Sequence, residues 1–404
     1  MKFEDLIAPY STDTFFSEIF EKQYLHIPGS PNRFNDLLDI AGLEKLLWQN
    51  ESDIPRIVRV VKNGSTQLPS RRLRNEDHMK WAIRHYHAGH TLVVQHVEAL
   101  DPHIAKSART WEDELRCPVQ ANVFLTPPGS SGFRPHYDTH EVLVLQLEGE
   151  KHWNIYPDSQ SSKVRLPLKR QAFDSNLGTP HGDPISTQLS PGDVLYVPRG
   201  VVHAAESRDL HSLHVTLGIR PPQWGEVVEA VIGECASLDV KLRQSLVVSK
   251  PSAKDCAHAL RKMAEAVRNS GLGATALRGI DRDFVSKLRA LPGNSLKSES
   301  DARLIQLDSM VVKRRGVPCH YGCDDGRAYI IFPGLGAPAA ADVEPGRFEG
   351  PGFLLESFRL IAETNRPHKV ANLASCLSDC AKVLLAQSLV RAGLLDLVKK
   401  GAKC

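Results

Sequence analysis

The chain has 404 residues, 42% of them hydrophobic, and 50 basic against 47 acidic side chains leave a net charge of only +3. That length exceeds one ordinary core and predicts two or three globular domains, while the charge balance excludes a strongly phosphate-tracking protein. No apolar stretch approaches the roughly 20 residues that cross a bilayer, and Met1-Lys2-Phe3-Glu4-Asp5-Leu6-Ile7 lacks the basic start and apolar core of a signal peptide, so a cytoplasmic protein is expected, nuclear or nucleolar in a eukaryote.

Taken in chain order, residues 13–21 and 37–49 carry amphipathic spacing and predict helices, whereas residues 57–61 and 91–97 are β-branched and predict strands. These would complete the outer face of a barrel. Val142-Leu143-Val144-Leu145-Gln146-Leu147 is apolar on both faces, as for a strand inside a sandwich, and Glu148-Gly149-Glu150 turns it into Lys151-His152-Trp153-Asn154-Ile155-Tyr156. Residues 158–190 hold few periodic segments and several Pro, Gly and Ser, which predicts a long loop carrying substrate contacts. Val194-Leu195-Tyr196-Val197 reads as a short strand between the Gly192-Asp193 turn and the Pro198-Arg199-Gly200 bend.

After Pro221-Pro222 the pattern becomes helical over residues 224–247, 252–269 and 281–291. A helical segment of that size buries little surface alone, so it predicts packing within the chain or against a second copy. The last hundred residues combine expected strands at 304–307 and 328–332 with helices near 352–364, 370–377 and 379–392. They hold 14 Lys plus Arg against 11 Asp plus Glu, too even for direct nucleic-acid binding. Eight cysteines without a dense pattern are read as free thiols, and Cys319-x3-Cys323 with Cys376-x3-Cys380 lacks the regular spacing of a zinc site.

The sharpest signal is His136-Tyr137-Asp138 followed by His203 in the frame Gly192-x5-Pro198-x-Gly200-x2-His203. Alternate residues of a strand share a face, so His136 and Asp138 can meet one metal while Tyr137 points away. Two imidazoles and one carboxylate on one side of a metal leave neighbouring positions open, which is the arrangement of non-haem Fe(II) oxygenases. Lys151 opens the returning strand of the adjacent hairpin, and a lysine inside a barrel is costly unless an anion meets it. A dicarboxylate would supply that anion. His140, on the same face by parity, is read as lining the cleft.

Residues 122–138, Gln146-Leu147-Glu148-Gly149-Glu150-Lys151-His152-Trp153 and Gly192–Gly200 resemble the JmjC-type ribosomal oxygenases, 2-oxoglutarate-dependent protein hydroxylases of the cupin superfamily. The detailed resemblance covers roughly residues 115–220. It implies an α+β chain: a double-stranded β-helix (a JmjC/cupin jelly roll) at 1–222 with its core at 115–220, a helical dimerisation domain at 223–300 and a winged-helix-like domain at 301–404. It further implies Fe(II) on His136, Asp138 and His203, with 2-oxoglutarate and O2 as co-substrates and Lys151 against the distal carboxylate of 2-oxoglutarate. Thr216 matches a family hydroxyl near that carboxylate. Phe124 stands where the family often has a tyrosine, and it cannot donate the phenol's hydrogen bond. Asn122 and Tyr137 are assigned to substrate contacts.

The resemblance implies hydroxylation of a side chain, histidine or arginine first, on a ribosomal or other protein or peptide, by a homodimer that binds no membrane. Two other classes stay open: an Nε-methyl-lysine demethylase with the same metal chemistry, and a non-catalytic metal-binding cupin or winged-helix module.

Overall fold

The computed structural model describes residues 1–70, 74–157, 165–169, 171, 179–245, 252–291, 296–334 and 346–398. Its chain divides into two compact units, Met1–Pro221 and Pro222–Cys404.

The first unit is built on eleven strands: β1 (Leu25–Ile27), β2 (Val58–Lys62), β3 (Ser65–Gln67), β4 (Thr91–Val94), β5 (Val119–Thr126), β6 (Glu141–Gly149), β7 (Lys151–Tyr156), β8 (Ile185–Leu189), β9 (Val194–Val197), β10 (Val202–Glu206) and β11 (Ser212–Ile219). Eight form a major sheet in the order β1-β9-β6-β11-β5-β4-β2-β3, and three form a minor sheet in the order β10-β7-β8. Isolated bridges Ser131↔Glu206 and His136↔His203 lay residues 131–136 along the free edge of β10 as a fourth, irregular member. From β5 onward the chain passes back and forth between the two sheets, with only the β7–β8 hairpin staying within the minor one, which is the winding of a double-stranded β-helix, or jelly roll.

Parity explains why β6 is apolar on both faces. Leu143, Leu145 and Leu147 join Val123, Val215 and Tyr196 in a core against the N-terminal helices, where Leu43, Leu47 and Trp111 are buried. Val142 and Val144 turn the other way, against Trp153, Ile155 and Leu189 of the minor sheet. Those outer helices start at readable signals: Asp39 caps the helix Ile40–Gln49 by accepting from Gly42 N, and Asp101 caps Pro102–Leu115 by accepting from His103 N and Ile104 N. The inner face is different over β5 and β11. There Asn122, Phe124 and Thr126 stand opposite Thr216, His214 and Ser212, and this half of the sandwich interior is polar.

Several expected elements differ. Residues 12–19 form a short helical turn followed by a π-helix, Phe15–Ile19, and Phe15 with the following Phe20 packs on Tyr196. The strand expected through residue 97 ends at Val94, because His96 adopts φ +57° and gives its N–H to the Asn122 side chain. The region read as one loop, 158–190, contains β8; residues 158–164, 170 and 172–178 lie outside the described residues. His136-Tyr137-Asp138 does not sit on a regular strand but on an extended segment held by the single bridge to His203.

The hairpin that carries Lys151 depends on Gly149, at φ +61°, where an added Cβ would lie 1.8 Å from the His211 carbonyl oxygen. Gly149→Ala is therefore expected to cost about 2 kcal/mol or more, from left-handed strain and the backbone clash together. A thermal melt reads the result; an unchanged midpoint would contradict this account of the turn.

In the second unit, helices Trp224–Leu238, Ala253–Ser270 and Leu272–Lys287 precede a mixed segment. The second half of Leu272–Lys287 was read as an independent helix at 281–291, and the short gap at Gly271 hides its true start. Phe284 and Val285 of this helix pack on Tyr329 and Ile331, and His320 Nδ1 meets Asp281 Oδ2 at 2.6 Å. Two three-stranded sheets follow, one built on Met310–Lys313 and one on Arg327–Ile331, around a core that includes Phe332, Phe358, Leu389 and Leu394. Residues 304–307, expected as a strand, form the turn before Met310–Lys313, and only Val370–Asn372 of the expected helix 370–377 is helical, as one 3-10 turn.

Candidate metal centre and its cavity

Backbone pairing between the irregular segment and β10 sets the site. His136 N donates to His203 O (3.0 Å) and His203 N to His136 O (2.8 Å), which holds the two imidazole rings 4.6 Å apart. The His136 Nδ1 lies 2.8 Å from Arg134 O, and the His203 Nδ1 lies 3.0 Å from Val201 O. A carbonyl oxygen only accepts, so both Nδ1 atoms carry hydrogens and both Nε2 atoms present lone pairs. Such orientation by a hydrogen bond on the far nitrogen is usual for metal-binding histidines.

Asp138 completes the cluster, with Oδ2 3.5 Å from His203 Nε2; the donor atoms of the three residues all lie within 4.8 Å of one another. Among the described residues this is the group with metal-ligand geometry. Burial, together with neighbouring His136, pushes His203 down to about 4, so it is a neutral ligand at physiological pH. Burial alone would raise the Asp138 carboxyl, but His140, His136, His203 and Arg59 outweigh it and hold the group ionised. Two imidazoles and a carboxylate suit a divalent first-row metal.

A cavity opens beside the trio, lined by both sheets and reaching Lys151. Lys151 is 3% exposed, and its Nζ donates to Thr126 Oγ1 at 2.7 Å and approaches Ser207 Oγ at 3.5 Å. Burial lowers its pKa to about 7, with Glu206 acting in the opposite direction. Among the described residues its hydrogen-bond partners are hydroxyls, so its charge lines the cavity without a carboxylate of those residues in ion-pair contact. Trp153 Nε1, His214 Nδ1 and Arg59 Nε are also buried without hydrogen-bond partners, and all three residues line the same cavity. Buried polar groups are nearly always satisfied, so a polar ligand bound in this cavity would find donors without competing partners. The donor set fits a diacid co-substrate: a metal to chelate one end and a buried cation for the other.

The residues singled out from sequence fall differently around this space. His136, Asp138, His203, Lys151, Asn122, Phe124, Thr216 and His140 all line the cavity. Tyr137 does not: it is 2% exposed and packs with Val202 and Tyr156, so its assignment to substrate contact is corrected to a structural role. The alternation that brings its neighbours to the metal turns it away. The hydroxyl beside Lys151 is Thr126, whereas Thr216 sits in the Asn122 row of the sheet. Sequence reasoning missed Thr126, Arg59 and His214. Strand parity with Phe124 and Thr216 signals Thr126 and His214; Arg59 lies on β2, and its arrival over the Phe133 ring, 5.2 Å from the centroid, depends on the pairing of β2 with β4. Gly218 leaves room for the His140 ring, whose Cδ2 lies 2.7 Å from where a Cβ would stand.

Residues 93–227 match the JmjC domain family. Human ribosomal oxygenase 1 is 32% identical over 236 residues, covering 57% of this chain and 36% of its own length. The bifunctional lysine-specific demethylase and histidyl-hydroxylase NO66 of Dictyostelium discoideum is 29% identical over 237 residues, covering 58% of this chain and 46% of its own length. The chain thus spans between about a third and a half of the length of these relatives. Among solved structures, the Escherichia coli ribosomal oxygenase YcfD in complex with cobalt and 2-oxoglutarate superposes with a TM-score of 0.55 at 16% identity, over 96% of this chain and 98% of that one. This likeness establishes a shared fold.

Proposed function

We propose that this chain, which carries a JmjC domain and is similar to the ribosomal oxygenases, is an Fe(II)- and 2-oxoglutarate-dependent oxygenase that hydroxylates a side chain of a ribosomal or other protein. The observation that carries the reading is the pairing, in one cavity, of a two-histidine, one-carboxylate cluster with a buried lysine whose hydrogen-bond partners among the described residues are hydroxyls. Fe(II), 2-oxoglutarate and O2 bound there would supply conversion of 2-oxoglutarate to succinate and CO2, coupled to insertion of one oxygen atom into a substrate C–H bond. His136, Asp138 and His203 would hold the metal. Lys151 and Thr126 would orient the far carboxylate, and Phe124, Phe133 and Trp153 would keep water from the reacting side. Asn122 and Arg59 line the cavity wall and would offer polar contacts to the substrate peptide.

Incubation with Fe(II), 2-oxoglutarate and ribosomal proteins is expected to give a product heavier by about one oxygen atom on histidine or arginine, with succinate released. No succinate above that of a His136→Ala control would count against the proposal. The name of the Dictyostelium relative keeps demethylation of Nε-methyl-lysine as a second reading, separated by formaldehyde release.

The second unit is read as a dimerisation segment at 223–300 followed by a winged-helix-like segment at 301–404 with a docking rather than DNA-binding role. Trp224, Val228 and Ile232 are 80%, 56% and 44% exposed and stand four residues apart on one helix face. Such an apolar stripe fits a second copy of the chain. Trp224→Glu combined with Val228→Glu is expected to shift sedimentation from dimer to monomer with helix content unchanged; a monomeric parent protein would overturn the assignment. No helix among the described residues is long and apolar enough to cross a membrane.

A further inference from the structure

Three rows of paired side chains cross the polar inner face from β5 to β11: Thr126 with Ser212, Phe124 with His214, and Asn122 with Thr216. Same-face rows on a strand lie about 6.6 Å apart, so position along these rows decides what a group bound at one end can reach. Lys151 Nζ is held at the first row by Thr126, and His214 occupies the next. Its imidazole is 4% exposed, stacks on Phe124 with the rings 4.9 Å apart and 7° from parallel, and stands edge-on to Trp153 at 5.9 Å. His214 Nδ1 is buried and has no hydrogen-bond partner. Burial and the Lys151 charge hold the ring neutral, so it carries one N–H and no competing positive charge.

We propose that His214 is the second donor of the anion pocket: its ring N–H, held in plane by the Phe124 stack, hydrogen-bonds the carboxylate that pairs with Lys151. In this chain the aromatic wall at position 124 has no polar atom, and the neighbouring imidazole provides the donor instead. His214 is thus a positioning residue for the diacid. The inference rests on the co-substrate reading above.

The test uses the full chain loaded with Mn(II), which supports binding without turnover, and calorimetry with two ligands: 2-oxoglutarate, and 2-oxobutyrate, which lacks the distal carboxylate. His214→Phe keeps the ring and its stacking but removes the N–H. It is expected to weaken 2-oxoglutarate about tenfold or more, as for loss of a hydrogen bond to a charged group, and to leave 2-oxobutyrate unchanged. Adding Phe124→Tyr to that variant is expected to restore most of the loss. Equal weakening of both ligands, or no weakening of either, overturns the assignment. A parent protein that binds neither Mn(II) nor 2-oxoglutarate instead rejects the co-substrate reading itself, and Mn(II) affinity in each variant reports whether the site is still folded.

Discussion

His203→Ala is expected to abolish metal retention and turnover together while leaving the fold standing. In the proposed site the imidazole is one of three protein ligands, and its Nδ1 hydrogen bond to Val201 O fixes the direction of the lone pair. With two ligands left, His136 and Asp138, the remaining donors cannot define one side of a metal sphere, and divalent metal affinity should fall by at least about a hundredfold. The loss of packing against Trp153, 5.8 Å away between ring centroids, adds a modest destabilisation on the order of 1–2 kcal/mol. Metal content after dialysis and succinate release read the two effects. Retention of one metal per chain by this variant would place the metal elsewhere.

Lys151→Met has the second large effect, and its two consequences have opposite signs. Removing a buried ammonium whose hydrogen-bond partners among the described residues are hydroxyls relieves desolvation, so the variant should be as stable as the parent or more so. Co-substrate binding should weaken by about 3 kcal/mol or more, over a hundredfold, because a buried carboxylate loses its counter-charge. The pH dependence follows from burial, which lowers the lysine to about 7. Between that value and its unfolded value near 10.5 the unfolded chain binds more protons than the folded one, so stability rises with pH over this window. Diacid binding requires the charged form, so affinity should fall as pH rises above about 7, by up to roughly tenfold per unit, with uptake of a proton on binding. Calorimetry in buffers of different ionisation enthalpy detects that proton. A pH-independent affinity shared by parent and Lys151→Met would remove Lys151 from the pocket.

The two sides of β6 show how much of the fold could be read from the chain. An unbroken apolar run predicted a strand covered on both faces, and one face meets the outer helices while the other meets the minor sheet. The convergence of His136, Asp138 and His203 in one cavity with Lys151 was equally legible, because it depends on residue type, turn chemistry and short spacing. Less legible were features set by long-range pairing. Arg59 enters the cavity only through the β2–β4 register, and the role of Thr126 emerges only when β7 folds back over β5. Alternation points Tyr137 away from its two neighbours, and its ring joins the Val202 and Tyr156 cluster instead of the substrate contacts assigned to it. In the second unit, 304–307 carried an apolar pattern suited to a strand, but Ile305 is instead buried in a turn that feeds the helix-packed core.

Anaerobic calorimetry on the full chain, first with Mn(II) and then with 2-oxoglutarate, tests the central claim most directly. One metal per chain, lost in His203→Ala, followed by 2-oxoglutarate binding that requires the metal and Lys151, is the result expected. Metal uptake unaffected by the trio, or 2-oxoglutarate binding indifferent to both metal and Lys151, would contradict it.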